Sequence, residues 1–199
     1  KKMDENKKNT LKLFYTFITI HLVLWTVVPA SVNHNLPLDT IEALAWGSNL
    51  DWGFSKHPPL SAFFLEIFFK IFGPQDWAYY FLSQIFVLIS FYFVFKFSNE
   101  IFNNLKLSLI SVLLLEGIFF YNFTTPEFNV NISQLPFWAL TVYFTWKIFK
   151  KAEPNVLDLI LLGIFAAAGF LSKYLFLYLL ISIDLLFIYL IFVIKDRKF

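Results

Sequence analysis

The sequence predicts an all-α integral membrane protein: a polytopic bundle of about six transmembrane helices with interfacial helices in its first outer loop. Three observations carry this. Hydrophobic residues fill 58% of the 199 positions, against about 45–50% in a soluble globular domain. Charged residues reach only 15%, with a mean hydropathy of +0.65, too few to cover a water-facing surface. Six stretches approach the roughly 20 apolar residues a helix needs to cross hydrocarbon: 11–32, 77–97, 106–124, 132–150, 156–172 and 174–194. Soluble enzymes and disordered tails are excluded together. The absence of cysteine removes disulfides, thiolate nucleophiles and cysteine zinc sites. A net charge of +2 does not suggest a nucleic-acid partner. The 28 phenylalanines and the near-exclusive use of Lys over Arg read as AT-rich codon usage and carry no argument.

The first stretch has no small-residue cleavage site behind it and exceeds a signal-peptide core, so it reads as a retained helix. With the N-terminus inside, the basic residues sort by loop. Lys1, Lys2, Lys7, Lys8, Lys12, Lys96, Lys106, Lys147, Lys150, Lys151, Lys195, Arg197 and Lys198 fall inside; Lys56, Lys70 and Lys173 fall outside. That is the positive-inside pattern. The acids Asp39, Glu42, Asp51, Glu66, Asp76 and Glu127 fall outside.

The outer loop 33–76 is too apolar for a solvated linker. Asp39, with Glu42 three residues on, matches an N-cap and capping box, predicting a helix over 40–49. Gly53, Pro58 and Pro59 make the segment 52–59 irregular. A second helix is expected over 60–72, with Glu66 and Lys70 paired at i, i+4, lying in the interface. Pro126 and Glu127 stand where the fourth span would be capped. Glu116 and Asp184 lie inside spans, where a carboxylate is expensive and needs a partner. If the chain is helical from Glu116 to Glu127, the former lies about 16 Å deeper.

Transfer chemistry on a lipid-linked phosphate would use cations to hold the leaving group and a carboxylate to activate the acceptor. Asp39, Glu42 and Glu127 are the candidate carboxylates, and Lys56, His57 and Lys173 the candidate phosphate-binding groups. Each has a plainer reading. Asp39 and Glu42 serve equally as a cap, Lys56 as a snorkelling lysine, and His57 as a loop histidine. Lys173, between two apolar spans, needs an anionic partner or the headgroup layer. Two histidines at most share the first outer loop, short of a protein-only zinc site; no cofactor is assigned, and a divalent cation stays open. Asn122-Phe-Thr124 and Asn131-Ile-Ser133 match the glycosylation sequon but sit against the membrane.

The residues Leu36-Pro-Leu-Asp39-Thr-Ile-Glu42-Ala-Leu-Ala-Trp-Gly47, followed by Lys56-His57-Pro-Pro-Leu60, resemble the bacterial lipid-linked-sugar glycosyltransferases of the GT-C fold. Those related to protein O-mannosyltransferases, the aminoarabinose transferase of lipid A and the lipopolysaccharide-core galacturonosyltransferases are nearest. Thr125-Pro-Glu127-Phe-Asn129-Val-Asn131 is similar to their second acidic loop, and Gly163 to Tyr174 to their Gly-rich fifth span ending in a lysine. The resemblance implies that Asp39 is the first-loop catalytic acid, Glu127 the second-loop acid and Lys173 a base near the donor phosphate. Lys56-His57 stands where the aminoarabinose enzymes carry Glu-Lys, which leaves their metal contact open here. Family members are longer, which implies an N-terminal portion.

The expected activity is an inverting transfer of sugar from a polyprenyl-phosphate donor to a lipid A, lipopolysaccharide or protein acceptor. It would occur at the periplasmic face of a bacterial inner membrane, with membrane lipids as further partners. The rivals are a transporter or flippase of lipid-linked substrates, favoured only by Glu116 and Asp184, and a non-catalytic assembly subunit.

Overall fold

A computed structural model describes residues 2–151 and 153–194; Lys1, Lys195, Arg197 and Lys198, counted above with the inner set, lie outside the described residues. The elements in order are α1 (Lys2–Val32), α2 (Leu38–Gly47), α3 (Leu60–Phe72), α4 (Asp76–Phe102) and α5 (Leu105–Glu116). After a 3₁₀ turn (Phe119–Tyr121) come α6 (Val130–Lys150), α7 (Val156–Ser172), a 3₁₀ turn (Tyr174–Phe176), α8 (Leu177–Tyr189) and a π turn (Leu190–Ile194). No strand occurs among the described residues. The chain is an all-α membrane helix bundle.

Three helical stretches are long and apolar enough to cross a membrane: Glu5–Val32, Asp76–Phe102 and Tyr174–Ile194. Val156–Ser172 is apolar but shorter. The 21-residue α6 has the length. It packs on both α4 and α7 and buries Ser133, Gln134 and Thr141 there. Protein surrounds its polar positions, so it needs less apolar character than a lipid-facing helix.

The expected span 106–124 is corrected. Its helix stops at Glu116 because Gly117 caps it and the Asn122 side-chain amide takes the Glu116 carbonyl. The apolar run Phe119–Phe123 is turn and loop. Glu116 therefore marks a helix end, and the depth drawn from a continuous helix to Glu127 does not hold. The other five stretches each fall within a helical segment.

The core centres on α4, whose Tyr79, Leu82, Val87 and Phe91 are almost fully buried. Phe14 of α1 stacks on Phe95 at 4.2 Å between ring centroids. Phe128, from the loop before α6, is fully buried and meets Phe86 edge-on at 5.2 Å. At the lysine-rich end, Lys147 and Lys151 both hold Asp158, at 2.6 and 2.8 Å, closing the α6–α7 turn.

The opposite end gathers the loops. Helix α3 carries the expected Glu66–Lys70 pair at 3.4 Å. Gly73, at φ +68°, turns the chain into α4 through a conformation that residues with a Cβ rarely adopt. Helices α2 and α3 touch at Gly47, where a Cβ would stand 2.6 Å from the Ala62 carbonyl oxygen. Only glycine permits that approach.

Candidate functional site

Helix α2 begins two residues earlier than its sequence signal. Pro37 is its N-cap and no side chain caps it, so the expected Asp39–Glu42 capping box is not formed. Asp39 sits in the first turn, where a carboxylate meets the positive end of the helix dipole. The capping comes from elsewhere. The Asp39 backbone N–H donates to Oε1 of Glu127 at 3.1 Å, so Glu127 supplies the anionic acceptor that α2 lacks. Glu127 does not cap the following helix; Asn129 does, accepting from Asn131 and Ile132.

The same loop holds the Asp39 side chain. Asn129 Nδ2 donates to Asp39 Oδ2 at 3.2 Å, and Thr40 Oγ1 donates to the Phe128 carbonyl at 3.1 Å. With Phe128 buried between them, Glu127 and Asn129 are fixed against the first turn of α2. Two carboxylates thus stand together, one engaged by backbone and the other by an amide.

Glu42, released from any capping box, pairs with Lys56 at 2.9 Å. That bond and the Glu42 charge raise the Lys56 pKa above its ordinary value. The irregular segment is closed by the Phe54 N–H donating to the His57 carbonyl at 3.2 Å, and Trp46 stacks on Phe54 while meeting the His57 ring edge-on. His57 is partly buried. Burial lowers its pKa most, then the Lys56 charge; Glu42 opposes them, and Lys173 adds a smaller lowering. The imidazole is therefore neutral at pH 7. Asp39, Glu42, His57, Ser61 and Asn129 line one small cleft.

Lys173 follows the last residue of α7, and burial lowers its pKa. Its Nζ donates to Asn131 Oδ1 in the first turn of α6, and a Ser133–Ser172 hydrogen bond at 3.0 Å ties the same two helices. The structure thus brings all six predicted residues to one end of the bundle. Among the described residues no group of three or more His, Cys, Asp or Glu could hold a metal ion.

One constellation escaped the sequence reading. His21, buried in α1, places Nδ1 2.8 Å from Glu116 Oε2 and donates from Nε2 to Gln84 Oε1 at 3.1 Å. Gln84 Nε2 donates on to Thr125 Oγ1 at 3.1 Å, two residues before Glu127. A histidine within the first apolar stretch was the available signal, but nothing in spacing named its partners.

An all-helical membrane bundle that collects carboxylates and bases in the loops at one end has the make-up of a GT-C-type membrane glycosyltransferase. The sequence profile of the dolichyl-phosphate-mannose-protein mannosyltransferase family matches residues 56–199, and the chain belongs to that family. It is a multi-pass membrane glycosyltransferase. Lys56, His57, Glu127 and Lys173 fall inside the matched segment, whereas Asp39 and Glu42 precede it. No curated protein and no solved structure matches the chain.

Proposed function

We propose that the protein moves a sugar from a polyprenyl-phosphate donor to a hydroxyl or phosphate of a lipid A, lipopolysaccharide or protein acceptor, at the periplasmic face of a bacterial inner membrane. Family membership supports a lipid-linked donor in general. The distribution of basic residues, thirteen against three, supports an outward-facing loop end. In the proposed step the acceptor oxygen attacks the anomeric carbon from the face opposite the phosphate. The bond from that carbon to the phosphate oxygen breaks, and polyprenyl phosphate leaves with the electron pair. Configuration inverts. Asp39 takes the acceptor proton or orients its hydroxyl, with its carboxylate held by Asn129. Lys56 and Lys173 balance the charge developing on the phosphate, and neutral His57 is placed to donate a hydrogen bond. Glu127 fixes the first turn of α2 through the Asp39 backbone N–H.

The observation that carries this reading is the Asp39 carboxylate, held by Asn129, in a cleft that Glu42 and His57 also line. Asp39→Asn tests it. The substitution keeps an acceptor for Asn129 and disturbs no side-chain cap, so the fold should persist. Transfer in the full-length protein should fall about 10²–10⁴-fold. Near wild-type transfer would remove Asp39 from the chemistry.

A further inference from the structure

The lysine-rich end of the bundle holds a cavity that the transfer step does not use. Helices α1 and α4 run antiparallel, as the Phe14–Phe95, His21–Gln84 and Asn33–Tyr80 contacts show. One turn beyond the stacked Phe14 and Phe95 rings, towards the lysine-rich end, the same faces carry Thr10 and Asn99. These smaller side chains leave a cavity of about 500 Å³, which Lys7, Asn103 and the first residues of α5, Leu105 and Lys106, complete.

The lining carries one sign of charge. Lys7 and Lys106 both reach it, and no Asp or Glu does. Nearby acids are spent, since Asp158 and Glu100 are held by Lys147, Lys150 and Lys151. Among the described residues no ion pair or hydrogen bond reaches the Lys7 or Lys106 ammonium, or the side-chain amides of Asn99 and Asn103. The start of α5 adds no free N–H there, because Asn104 Oδ1 already accepts from Lys106 and Leu107. Two unmatched ammoniums and two free amides around one hollow suit an anion rich in oxygen acceptors.

Position narrows the source of that anion. The cavity lies where two candidate spans end together: Lys7 is two residues after the start of Glu5–Val32, and Asn99 three before the end of Asp76–Phe102. That is the headgroup depth of one leaflet. Phe102 and Leu107, next in sequence to lining residues, are exposed, as contact with acyl chains requires.

We infer that this cavity seats the phosphodiester headgroup of an anionic phospholipid from the leaflet at the lysine-rich end. Lys7 and Lys106 meet the phosphate oxygens, and the Asn99 and Asn103 amides donate to the headgroup. The seated lipid ties α1 to the α4–α5 turn. A free phosphate compound shares the headgroup chemistry but gains nothing from the apolar flank.

The test uses the full-length protein in nanodiscs containing a photoreactive phosphatidylglycerol, with adducts mapped by mass spectrometry. Adducts should fall within 6–10 and 99–106, and a matched phosphatidylcholine probe should label these at least about fivefold less. Lys7→Gln with Lys106→Gln should lower the yield about tenfold or more, while Lys7→Arg with Lys106→Arg should keep it. Lys8→Gln with Lys12→Gln removes the same charge from lysines of α1 that do not line the cavity. Salt screens such diffuse charge, so the yield should stay within about twofold. All four lysines are exposed, and unchanged melting temperatures would show that the variants fold. Equal losses from the two Gln pairs would reduce the effect to diffuse attraction and overturn the inference. So would equal labelling by the two lipids, or adducts confined to other segments. Displacement of the probe by micromolar glycerol phosphate would give the cavity to a soluble phosphate compound and overturn the lipid assignment.

Discussion

The backbone N–H of Asp39 donates to Oε1 of Glu127 at 3.1 Å, across 88 positions of sequence. The acid of the second loop thereby sets where the acid of the first loop stands. Substitutions at Glu127 separate this positioning from charge. Glu127→Gln keeps an oxygen acceptor for the α2 N–H groups; Glu127→Ala removes it. Loss of a capping acceptor costs about 0.5–2 kcal/mol, so Glu127→Ala should lower thermal stability in detergent and reduce transfer at least about tenfold. Glu127→Gln should keep most of both. Equal collapse of transfer in the two variants, with Glu127→Gln fully stable, would give the Glu127 charge a part in the chemistry itself.

His57 offers a measurement that needs no substrate. Its titration by NMR should fall below the ordinary 6.5, from burial first and the Lys56 charge second. Lys173→Gln should move the midpoint up by removing a repelling charge, and Glu42→Gln should move it down by removing an attracting one. The stability consequence has a definite sign. Folding favours the neutral ring, so the His57 contribution is complete above about pH 6.5 and is lost as pH falls through the lowered folded-state value. A midpoint at or above 6.5, or one indifferent to Lys173→Gln, contradicts the placement of these groups around one cleft.

Gly47 couples the two elements that carry the site. Its missing Cβ leaves room for the Ala62 carbonyl oxygen, which a methyl group would approach to 2.6 Å. Backbone cannot swing aside as a flexible side chain does. Gly47→Ala should push α3 from α2 and cost about 1–3 kcal/mol as an overpacked contact, although alanine is otherwise the better helix former. Limited proteolysis should then cut the 48–59 segment faster. Unchanged cleavage and unchanged melting would show that α2 and α3 do not meet at this distance.

The helices were legible because apolar runs and their breakers are local signals. Leu60–Phe72 came with its Glu66–Lys70 pair, and Pro58-Pro59 marked the break before it. The cap of α2 was not legible, because its acceptor comes from Glu127 and spacing around Asp39 offered a local substitute in Glu42. Glu42 is instead drawn to Lys56, which lies across an irregular segment whose path no periodicity describes. The end of α5 was misread for a different reason. Phe119–Phe123 is as apolar as a span, and only Gly117 and Asn122 say that the helix has stopped. The six candidate residues were found by type and loop, and their mutual partners were not.

His21 tests how the membrane interior supports the site. His21→Phe keeps an apolar ring in α1 and leaves Gln84 and Glu116 without their partner. An orphaned buried polar group costs about 1–3 kcal/mol, so melting in detergent should fall by that order. The effect should also reach the loop, since Gln84 bonds Thr125. In this cysteine-free chain, a single Thr124→Cys should react faster with a thiol reagent in the His21→Phe background. Equal labelling rates would confine His21 to local packing.

Lys173 has two roles that three substitutions can separate. Its Nζ bonds Asn131 at the start of α6, a structural tie between α6 and the end of α7, and its charge reaches His57 across the site. Lys173→Gln retains a side-chain donor for Asn131 and loses the charge. Lys173→Met loses both, and Lys173→Arg keeps the charge in a wider head. If the ammonium holds the donor phosphate, Lys173→Gln gives up a charge-assisted bond worth about 1.5–3 kcal/mol, and the donor KM should rise roughly ten- to a hundredfold at unchanged melting temperature. Lys173→Met should show the same KM with reduced stability, and Lys173→Arg an intermediate KM. A Lys173→Gln protein with ordinary donor KM, beside a Lys173→Met protein that melts early, would leave Lys173 as a helix tie. The phosphate would then rest on Lys56 and His57.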